Sequence, residues 1–326
     1  MRHLIRYLKG AALAALFAGT AHAREPLLNL PLDCTLGDTC YIQQYVDRDP
    51  SAGVSDFACG TLSYDTHKGT DFALPSLQAM DNGVDVLAAA PGTVVAFRDG
   101  VPDQIYTSET AAQVDGIECG NGVVVDHGAG WRTQYCHLKE GSVIVENGQR
   151  VAKGAVLGEV GLSGRTQFPH LHIVVRQGDR VVDPFHPDPS ATCSLTPQDT
   201  MWQTPIEYVP AGLIAAGFST AVPDYDRVKA GDAAAATLRS SDPAIVLWGY
   251  AFGARQGDVL SLTITGPAGV LIEHKALIKR DQAQLMRAAG KPLRGVGWPK
   301  GRYKGTASLT RQGDILDTME TTIEVE

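Results

Sequence analysis

Short apolar runs broken by glycine dominate residues 61–187 and limit the folds open to this chain. Examples are VDVLAAAPGTVVAF (84–97), NGVVVDHGAGWRTQYCHL (121–138) and GQRVAKGAVLGEVG (148–161). Runs this short, separated by turn residues, are typical of β-strands, and helical periodicity is scarce among them. Gly128-Ala129-Gly130, between two of the runs, predicts a hairpin loop. We therefore predict a mostly antiparallel sheet in a domain at 61–190.

The second half of the chain carries a different pattern. A proline-containing stretch predicts a connecting segment at 191–225, with a short helix in PAGLIAAGFS. Farther on, apolar and polar residues alternate in several runs, which is the period of half-buried strands. DQAQLMRAAG (281–290) predicts one or two helical turns. The predicted fold class is mainly β, with the antiparallel-sheet domain followed by a C-terminal, immunoglobulin-like β-sandwich at 226–326.

The first 23 residues have the pattern of a secretory signal peptide. A basic start (MRHLIRYLKG) precedes an apolar run at 11–18 and the small-x-small site Ala21-His22-Ala23. The apolar run is shorter than the roughly 20 residues that span a bilayer. We predict cleavage after Ala23, a periplasmic or secreted protein, and no integral membrane segment after cleavage.

The net charge limits the possible binding partners, and the cysteine content indicates the cellular compartment. The net charge is −8, which argues against nucleic acid as a partner. An even number of cysteines in an exported chain favours disulfides, although the sequence alone does not choose the pairs. The segment at 24–60 is cysteine-bearing and irregular. The six cysteines are Cys34, Cys40, Cys59, Cys119, Cys136 and Cys193.

Histidines and one carboxylate form a candidate metal site. His170 and His172 are two residues apart beside the apolar run IVV, so on a strand both imidazoles project from one face. His67 and Asp71 add ligands from a separate segment. Two histidines and a carboxylate are a catalytic zinc set with a position left for water. His137 and one of His170 and His172 then remain for proton transfer.

The order of these motifs resembles a known family. His-x-x-x-Asp, then Tyr-x-His-Leu, then Pro-His-Leu-His is similar to the lysostaphin-type (LytM-domain) peptidoglycan metallopeptidases, over roughly residues 60–187. The resemblance implies one zinc ion per chain, bound by His67, Asp71 and His172, and an unliganded catalytic pair, His137 and His170. It also implies hydrolysis of peptide bonds in peptidoglycan stems or cross-links by a metal-activated water, with the peptidoglycan peptide as partner.

Two alternatives and two local features accompany this prediction. In the first alternative the chain is a non-catalytic wall-binding, adaptor or activator module, and in the second it is a zinc peptidase that acts on a protein. The sequence of the C-terminal domain does not identify its ligand. Gln167-Phe168 replaces the Thr-Gly that is usual in the family, which implies an altered groove wall. If 119–127 and 131–138 form one hairpin, Cys119 and Cys136 lie nearly opposite each other, which predicts a disulfide.

Overall fold

Strands make up most of the regular secondary structure among the described residues. The computed structural model describes residues 25–190, 193–194 and 199–326, so the predicted signal peptide lies outside the described residues. Within these ranges the chain forms seventeen strands and three short helices. The prediction of a mainly β protein with antiparallel sheets is confirmed. None of the described helices is long and apolar enough to cross a membrane.

The N-terminal half builds one large antiparallel sheet with a small one beside it. The large sheet has the order β1-β2-β9-β6-β5-β4-β7, and β10 pairs with β9; β3 and β8 form a separate pair. Two short helices, α1 (Leu77–Asp81) and α2 (Ala111–Val114), lie in the connections. The strands are β1 (Tyr41–Gln44), β2 (Thr70–Ala73), β3 (Asp85–Leu87), β4 (Gly92–Arg98), β5 (Asn121–Gly128), β6 (Trp131–Leu138), β7 (Arg150–Val151), β8 (Val156–Glu159), β9 (His170–Gln177) and β10 (Arg180–Val182).

Strand β9 occupies a central place in the large sheet, between β2 and β6. Its histidines alternate with Leu171 and Ile173, which are 0% and 1% exposed. Because successive side chains of a strand point to opposite faces, one face of β9 joins the core and the other carries the imidazoles. Burying each apolar side chain contributes about 1.5–3 kcal/mol, so the core fixes the register that displays the histidines.

Three disulfides tie the N-terminal half together. Cys119 is bonded to Cys136 across the β5–β6 hairpin, which confirms the predicted pair. The other bonds join Cys34 to Cys40, and Cys59 to Cys193. The segment at 24–60 is joined to the sheet as well, because β1 pairs with β2.

The C-terminal region contains two antiparallel sheets around one core. The orders are β11-β12-β15 and β14-β13-β16-β17. Leu247 and Leu260 are among the fully buried side chains that the two sheets share. Its elements are β11 (Gly212–Ser219), α3 (Tyr225–Ala230), β12 (Ala244–Ala254), β13 (Val259–Gly266), β14 (Gly269–Leu277), β15 (Gln282–Pro292), β16 (Gly301–Arg311) and β17 (Asp314–Val325).

Two helix predictions in this region are wrong. PAGLIAAGFS contains β11, and the segment predicted helical at 281–290 lies in β15. Both strands pair with β12 along most of their length. Alanine, leucine and glutamine favour helices, but helix preferences are worth less than about 1 kcal/mol per residue, so a continuous hydrogen-bonded partner on β12 outweighs them.

Candidate metal centre

Three side chains from separate elements converge on one point. Their candidate ligand atoms, one each from His67, Asp71 and His172, all lie within 4.8 Å of one another. Asp71 Oδ1 is 2.7 Å from His172 Nδ1 and 3.2 Å from His67 Nε2, and the two nitrogens are 3.1 Å apart. Two imidazole nitrogens and a carboxylate oxygen are a donor set suited to a divalent ion such as Zn²⁺.

Strand pairing brings two of these groups together. Asp71 on β2 is directly opposite His172 on β9, and directly opposite residues of an antiparallel pair project from the same face. His67 lies four residues before Asp71, in the turn that leads into β2. Gly69, between them, is packed so closely that a Cβ would meet Ile173 O at 2.6 Å and His172 Cε1 at 2.7 Å. The approach of this turn to β9 therefore requires glycine.

The ring of His67 is oriented by the preceding segment. Its Nδ1–H donates to the carbonyl of Tyr45, with 2.6 Å between nitrogen and oxygen. The unprotonated nitrogen of the neutral ring is then Nε2, which faces Asp71 and His172. Such a bond from the second nitrogen to a carbonyl is the usual support of a metal-binding histidine. The N-terminal segment therefore contributes to the site through its backbone.

A β-bulge turns His137 toward the same site. Asn121 pairs with Leu138 and Gly122 pairs with Cys136, so His137 is an extra residue in β6. Its φ of 66° is in the left-handed region, as at the inserted residue of such irregularities. Regular alternation would place His137 on the face opposite Cys136, which pairs with His172 on β9.

Hydrogen bonds on both sides hold the bulge in this conformation. The amide of His137 donates to Cys119 O at 2.8 Å, and its carbonyl accepts from Gly161 N at 2.9 Å. The imidazole Nδ1–H donates to Ser163 O at 2.8 Å. The ring centre is 4.7 Å from that of His170. The bulge therefore fixes both the position of the ring and the nitrogen that carries its proton.

His170 is held in the same way. Its Nδ1–H donates to the carbonyl of Phe168 at 2.9 Å, and Thr166 Oγ1 lies 3.0 Å from the same nitrogen. Its Nε2 is 3.6 Å from Asp71 Oδ1. The ring of Phe168 stacks on the imidazole with 4.4 Å between centres. His137 and His170 thus both keep Nε2 free of backbone partners and available for a proton.

Burial and neighbouring charges set the protonation of the cluster. Burial opposes ionisation of Asp71, but the imidazoles of His67 and His170 hold its pKa well below the ordinary value. Burial also opposes protonation of His67, yet Asp71 raises the pKa of His67. Burial lowers the pKa of His170 and lowers that of His137 strongly. At neutral pH the last two histidines are therefore uncharged and able to accept a proton.

Sequence reasoning missed one aromatic side chain beside the cluster. Tyr64 is 50% exposed, and its ring centre is 4.4 Å from that of His67. Burial of its hydroxyl and the charge of Asp71 raise its pKa, so the phenol stays protonated and can donate a hydrogen bond. Its place three residues before His67 was the available signal. The sequence also could not predict the backbone carbonyls that accept hydrogen bonds from the imidazoles, because every residue type has a carbonyl. These carbonyls belong to Tyr45, Ser163 and Phe168.

The remaining histidine of the sheet lies apart from this cluster. His127 Nδ1 is 2.9 Å from Pro91 O, and Nε2 is 2.8 Å from Thr133 Oγ1. Both ring nitrogens are therefore used within the protein, as expected for a structural residue. The disulfide of Cys136 likewise leaves its thiolate unavailable as a metal ligand.

The part of the chain that carries the cluster is similar to known proteins. Residues 65–184 match the model of Peptidase family M23. The peptidoglycan DD-endopeptidase ShyA of Vibrio cholerae is 35% identical over 112 residues, which are 34% of this chain and 20% of ShyA. The peptidoglycan DD-endopeptidase ShyB of the same organism is 31% identical over 130 residues, or 40% of this chain and 25% of ShyB. The chain thus spans a quarter or less of the length of these two relatives.

A solved structure shares part of this similarity. A zinc-containing peptidase from Vibrio cholerae is 27% identical, with 45% of this chain and 39% of that chain covered, at a TM-score of 0.28. The matched residues of the family model include the five residues of the cluster, and they reproduce the family that the three motifs indicated. Residues 65–184 are thus similar to the peptidases of family M23, in agreement with the resemblance to lysostaphin-type peptidases that the motifs indicated.

Proposed function

We propose that this chain is a zinc-dependent endopeptidase that hydrolyses peptide bonds in peptidoglycan stems or cross-links. The observation that carries the proposal is the convergence of His67, Asp71 and His172 beside two buried histidines, within a family M23 domain. A purely wall-binding module has no need of a buried carboxylate among four imidazoles, since burying such groups is costly unless they are paired.

The donor set fits one zinc ion. His67 and His172 each direct an imidazole nitrogen toward Asp71 Oδ1, and Tyr45 O fixes the tautomer of His67. Three protein ligands are typical of catalytic rather than structural zinc. When bound, the ion supplies Lewis acidity to the scissile carbonyl and makes a hydrolytic water acidic.

His137 and His170 are the proposed catalytic residues. Each donates Nδ1–H to a backbone carbonyl, so Nε2 is the atom that takes a proton from the attacking water or donates one to the leaving amine. A lowered pKa keeps both rings in the accepting form at neutral pH. Asp71 is 3.6 Å from His170 Nε2 and favours the imidazolium once it forms. These roles require no side chain beyond the cluster.

The substrate class follows from the relatives. ShyA and ShyB are named peptidoglycan DD-endopeptidases, and their similarity to this chain lies in the peptidase domain. We extend peptidoglycan cleavage to this chain, together with a periplasmic or secreted location that rests on the leader-like residues 1–23. The cleaved bond is a peptide bond, since the proposed chemistry is water attack on an amide carbonyl.

We further propose an immunoglobulin-like topology for the C-terminal sandwich. The first, second and fifth of its seven strands form one sheet, and the third, fourth, sixth and seventh form the other. Immunoglobulin domains divide their strands between sheets in a related order, with an additional strand beside the third in variable domains. The topology alone does not assign a ligand.

Digestion of purified, cross-linked peptidoglycan tests the proposed function. The zinc-loaded chain is incubated with the polymer, and soluble products are identified by mass spectrometry. We expect new stem-peptide ends with wild type and none with His172→Ala, because that variant loses a metal ligand. Absence of products from a zinc-loaded, folded wild type would contradict the proposal, and cleavage of a protein such as elastin instead would redirect it to a protein substrate.

A further inference from the structure

A cavity lies beside one of the candidate catalytic residues, between the peptidase domain and the C-terminal region. Phe168, whose ring stacks on His170, also lines a cavity of about 560 Å³. One wall of this cavity comes from the peptidase domain and includes Tyr106. The opposite wall comes from α3 and the start of β15 and includes Lys229 and Arg280. Phe168 therefore links His170 to a cavity whose other wall lies outside the peptidase domain.

Buried hydrogen bonds fix this second wall against the catalytic sheet. The amide of Gln43 on β1, which is fully buried, donates to Ala283 O at 2.9 Å. Gln284 Nε2 donates to Tyr41 Oη at 3.0 Å, and Tyr250 Oη donates to Gln284 Oε1 at 2.6 Å. These bonds join the strand next to β2, which carries Asp71, to the residues that line the groove. The wall is therefore part of a single packed unit with the site.

Apolar packing reinforces the same junction. Tyr41 and Ala73 of the catalytic sheet belong to one buried cluster with Trp248, Tyr250 and Phe252 of β12. The rings of Tyr41 and Phe252 are 4.7 Å apart. An interface with buried aromatic side chains and satisfied polar groups resists domain rotation. The geometry of the groove is consequently built into the fold.

Two cations on this wall are suited to an anionic ligand. Lys229 Nζ lies 2.8 Å from Asp226 Oδ1 and 5.0 Å from the centre of the Tyr225 ring. Asp226 is 90% exposed, so its ion pair is weak and easily exchanged for a ligand carboxylate. Arg280 is exposed and makes no ion pair with any described residue. Its guanidinium can bind a carboxylate through two parallel hydrogen bonds.

The acid on the same wall is engaged elsewhere. Asp281 Oδ1 accepts a hydrogen bond from the backbone amide of Gln256 at 2.7 Å. The side chains that line the cavity include two cations and one carboxylate, and Asp226 is paired with Lys229 at the edge of this wall. A ligand carboxylate that displaces Asp226 from Lys229 would face both Lys229 and Arg280, which is the charge arrangement that suits an acidic peptide.

We propose that the C-terminal region forms one wall of the substrate groove, where Lys229 and Arg280 bind a carboxylate of the peptide. The proposal deepens the proposed function and rests on it for the identity of the scissile bond. The substrate class is an acidic peptide, with its free carboxylate on the Phe168 side of the cleaved bond.

Steady-state cleavage tests this assignment. The substrate is a purified cross-linked stem-peptide dimer, compared with the same dimer whose carboxylates are converted to primary amides. For the double variant Lys229→Gln, Arg280→Gln we expect KM on the acidic dimer to rise about tenfold and kcat to change less than about twofold. The reason is that the lost charge-assisted hydrogen bond would be equally strong in the bound substrate and in the transition state. On the amidated dimer, wild type and variant should have the same KM.

A charge-matched control separates local binding from general electrostatics. Lys275 and Arg294 are exposed cations of the same region that do not line the groove. The double variant Lys275→Gln with Arg294→Gln removes the same charge and should keep the wild-type KM. An equal rise of KM in both double variants, or a rise that is the same on both dimers, would overturn the proposal.

A binding experiment distinguishes failure of the groove from failure of the enzyme. Metal-free protein binds fluorescently labelled acidic or amidated dimer, and anisotropy gives Kd without turnover. We expect wild type to prefer the acidic dimer about tenfold and the Lys229→Gln, Arg280→Gln variant to lose the preference. Equal affinities in wild type would refute the carboxylate site whether or not the chain cleaves peptidoglycan. A preserved preference without cleavage would uphold the groove and refute the proposed function.

Discussion

Replacing Gly69 by alanine should damage the metal centre without removing a ligand. The added Cβ would lie 2.7 Å from His172 Cε1 and 2.8 Å from Nε2, whereas ordinary contact begins at 3.4 Å. The ring must therefore shift by about 0.7 Å, the difference between 2.7 Å and 3.4 Å. Ligand positions in a metal site tolerate about 0.2 Å. The second clash, with Ile173 O at 2.6 Å, involves backbone and is not relieved by ring rotation.

We expect zinc affinity to fall about 10–100-fold, the usual effect of disturbing the support of a ligand. The free energy of unfolding of the metal-free protein should fall by about 1–3 kcal/mol through overpacking. Competition with a chelating dye measures the affinity, and urea unfolding measures the stability. Gly297→Ala is the control, because its Cβ would have a nearest neighbour at 3.2 Å and lies away from the cluster. Wild-type zinc affinity in folded Gly69→Ala would refute the reasoning.

The other predictions concern the roles of two histidines, one disulfide and the pH dependence of stability. His172→Ala should lose zinc and turnover together, whereas His170→Ala should retain zinc and lose most of kcat; zinc loss in both would contradict the division of roles. Replacing Cys119 and Cys136, 17 residues apart, by alanine should lower the free energy of unfolding by about 3 kcal/mol and reduce kcat through the adjacent bulge; unchanged urea unfolding would contradict this. Burial raises the pKa of Asp183 to about 6, so its stabilising contribution is present below pH 4 and is lost as pH rises through 6. Between pH 4 and pH 7 the free energy of unfolding of wild type should fall by up to about 3 kcal/mol relative to that of Asp183→Asn, as measured by urea unfolding. A stability difference between the two proteins that does not change with pH would contradict the raised pKa.

Period-two alternation accounts for the part of the site that the sequence anticipates. His170 and His172 lie on one face of β9, as their spacing predicts, and Asp71 meets His172 because β2 pairs beside β9 in matching register. Local pattern could place each residue on a strand but could not choose which strands are neighbours. The family resemblance supplied only the convergence of the ligands, because it implies that His67, Asp71 and His172 bind one zinc ion.

His137 shows where alternation fails. A regular β6 would turn His137 away from Cys136, and the bulge reverses this by inserting one residue. Its left-handed backbone costs free energy for a residue other than glycine. Two hydrogen bonds offset that cost: the His137 amide donates to Cys119 O, and the Gly161 amide donates to His137 O. Those bonds join residues distant along the chain, so no local rule predicts them. The helix predictions at 210–219 and 281–290 failed for the same reason: pairing with β12 decided the structure.

Side-chain contacts cross the domain boundaries predicted at residues 60 and 226, and the composition of the sequence does not predict them. Tyr45, before the first boundary, orients His67, and Gln284, beyond the second, bonds to Tyr41 beside the catalytic sheet. Each segment thereby contributes to the geometry around the candidate metal centre. The boundaries themselves remain predictions.

Backbone carbonyls, rather than side chains, set the tautomers of three site histidines. His67, His137 and His170 each donate Nδ1–H to a carbonyl oxygen on a different loop. Substitution of the side chains that follow those carbonyls therefore leaves the proton on the same nitrogen, provided that the loops keep their paths. Displacement of a loop by about 1 Å breaks the bond and frees the ring to change tautomer or rotate. The disulfide at the bulge and the buried junction with β15 therefore help to fix the loops on which the geometry of the candidate metal centre depends.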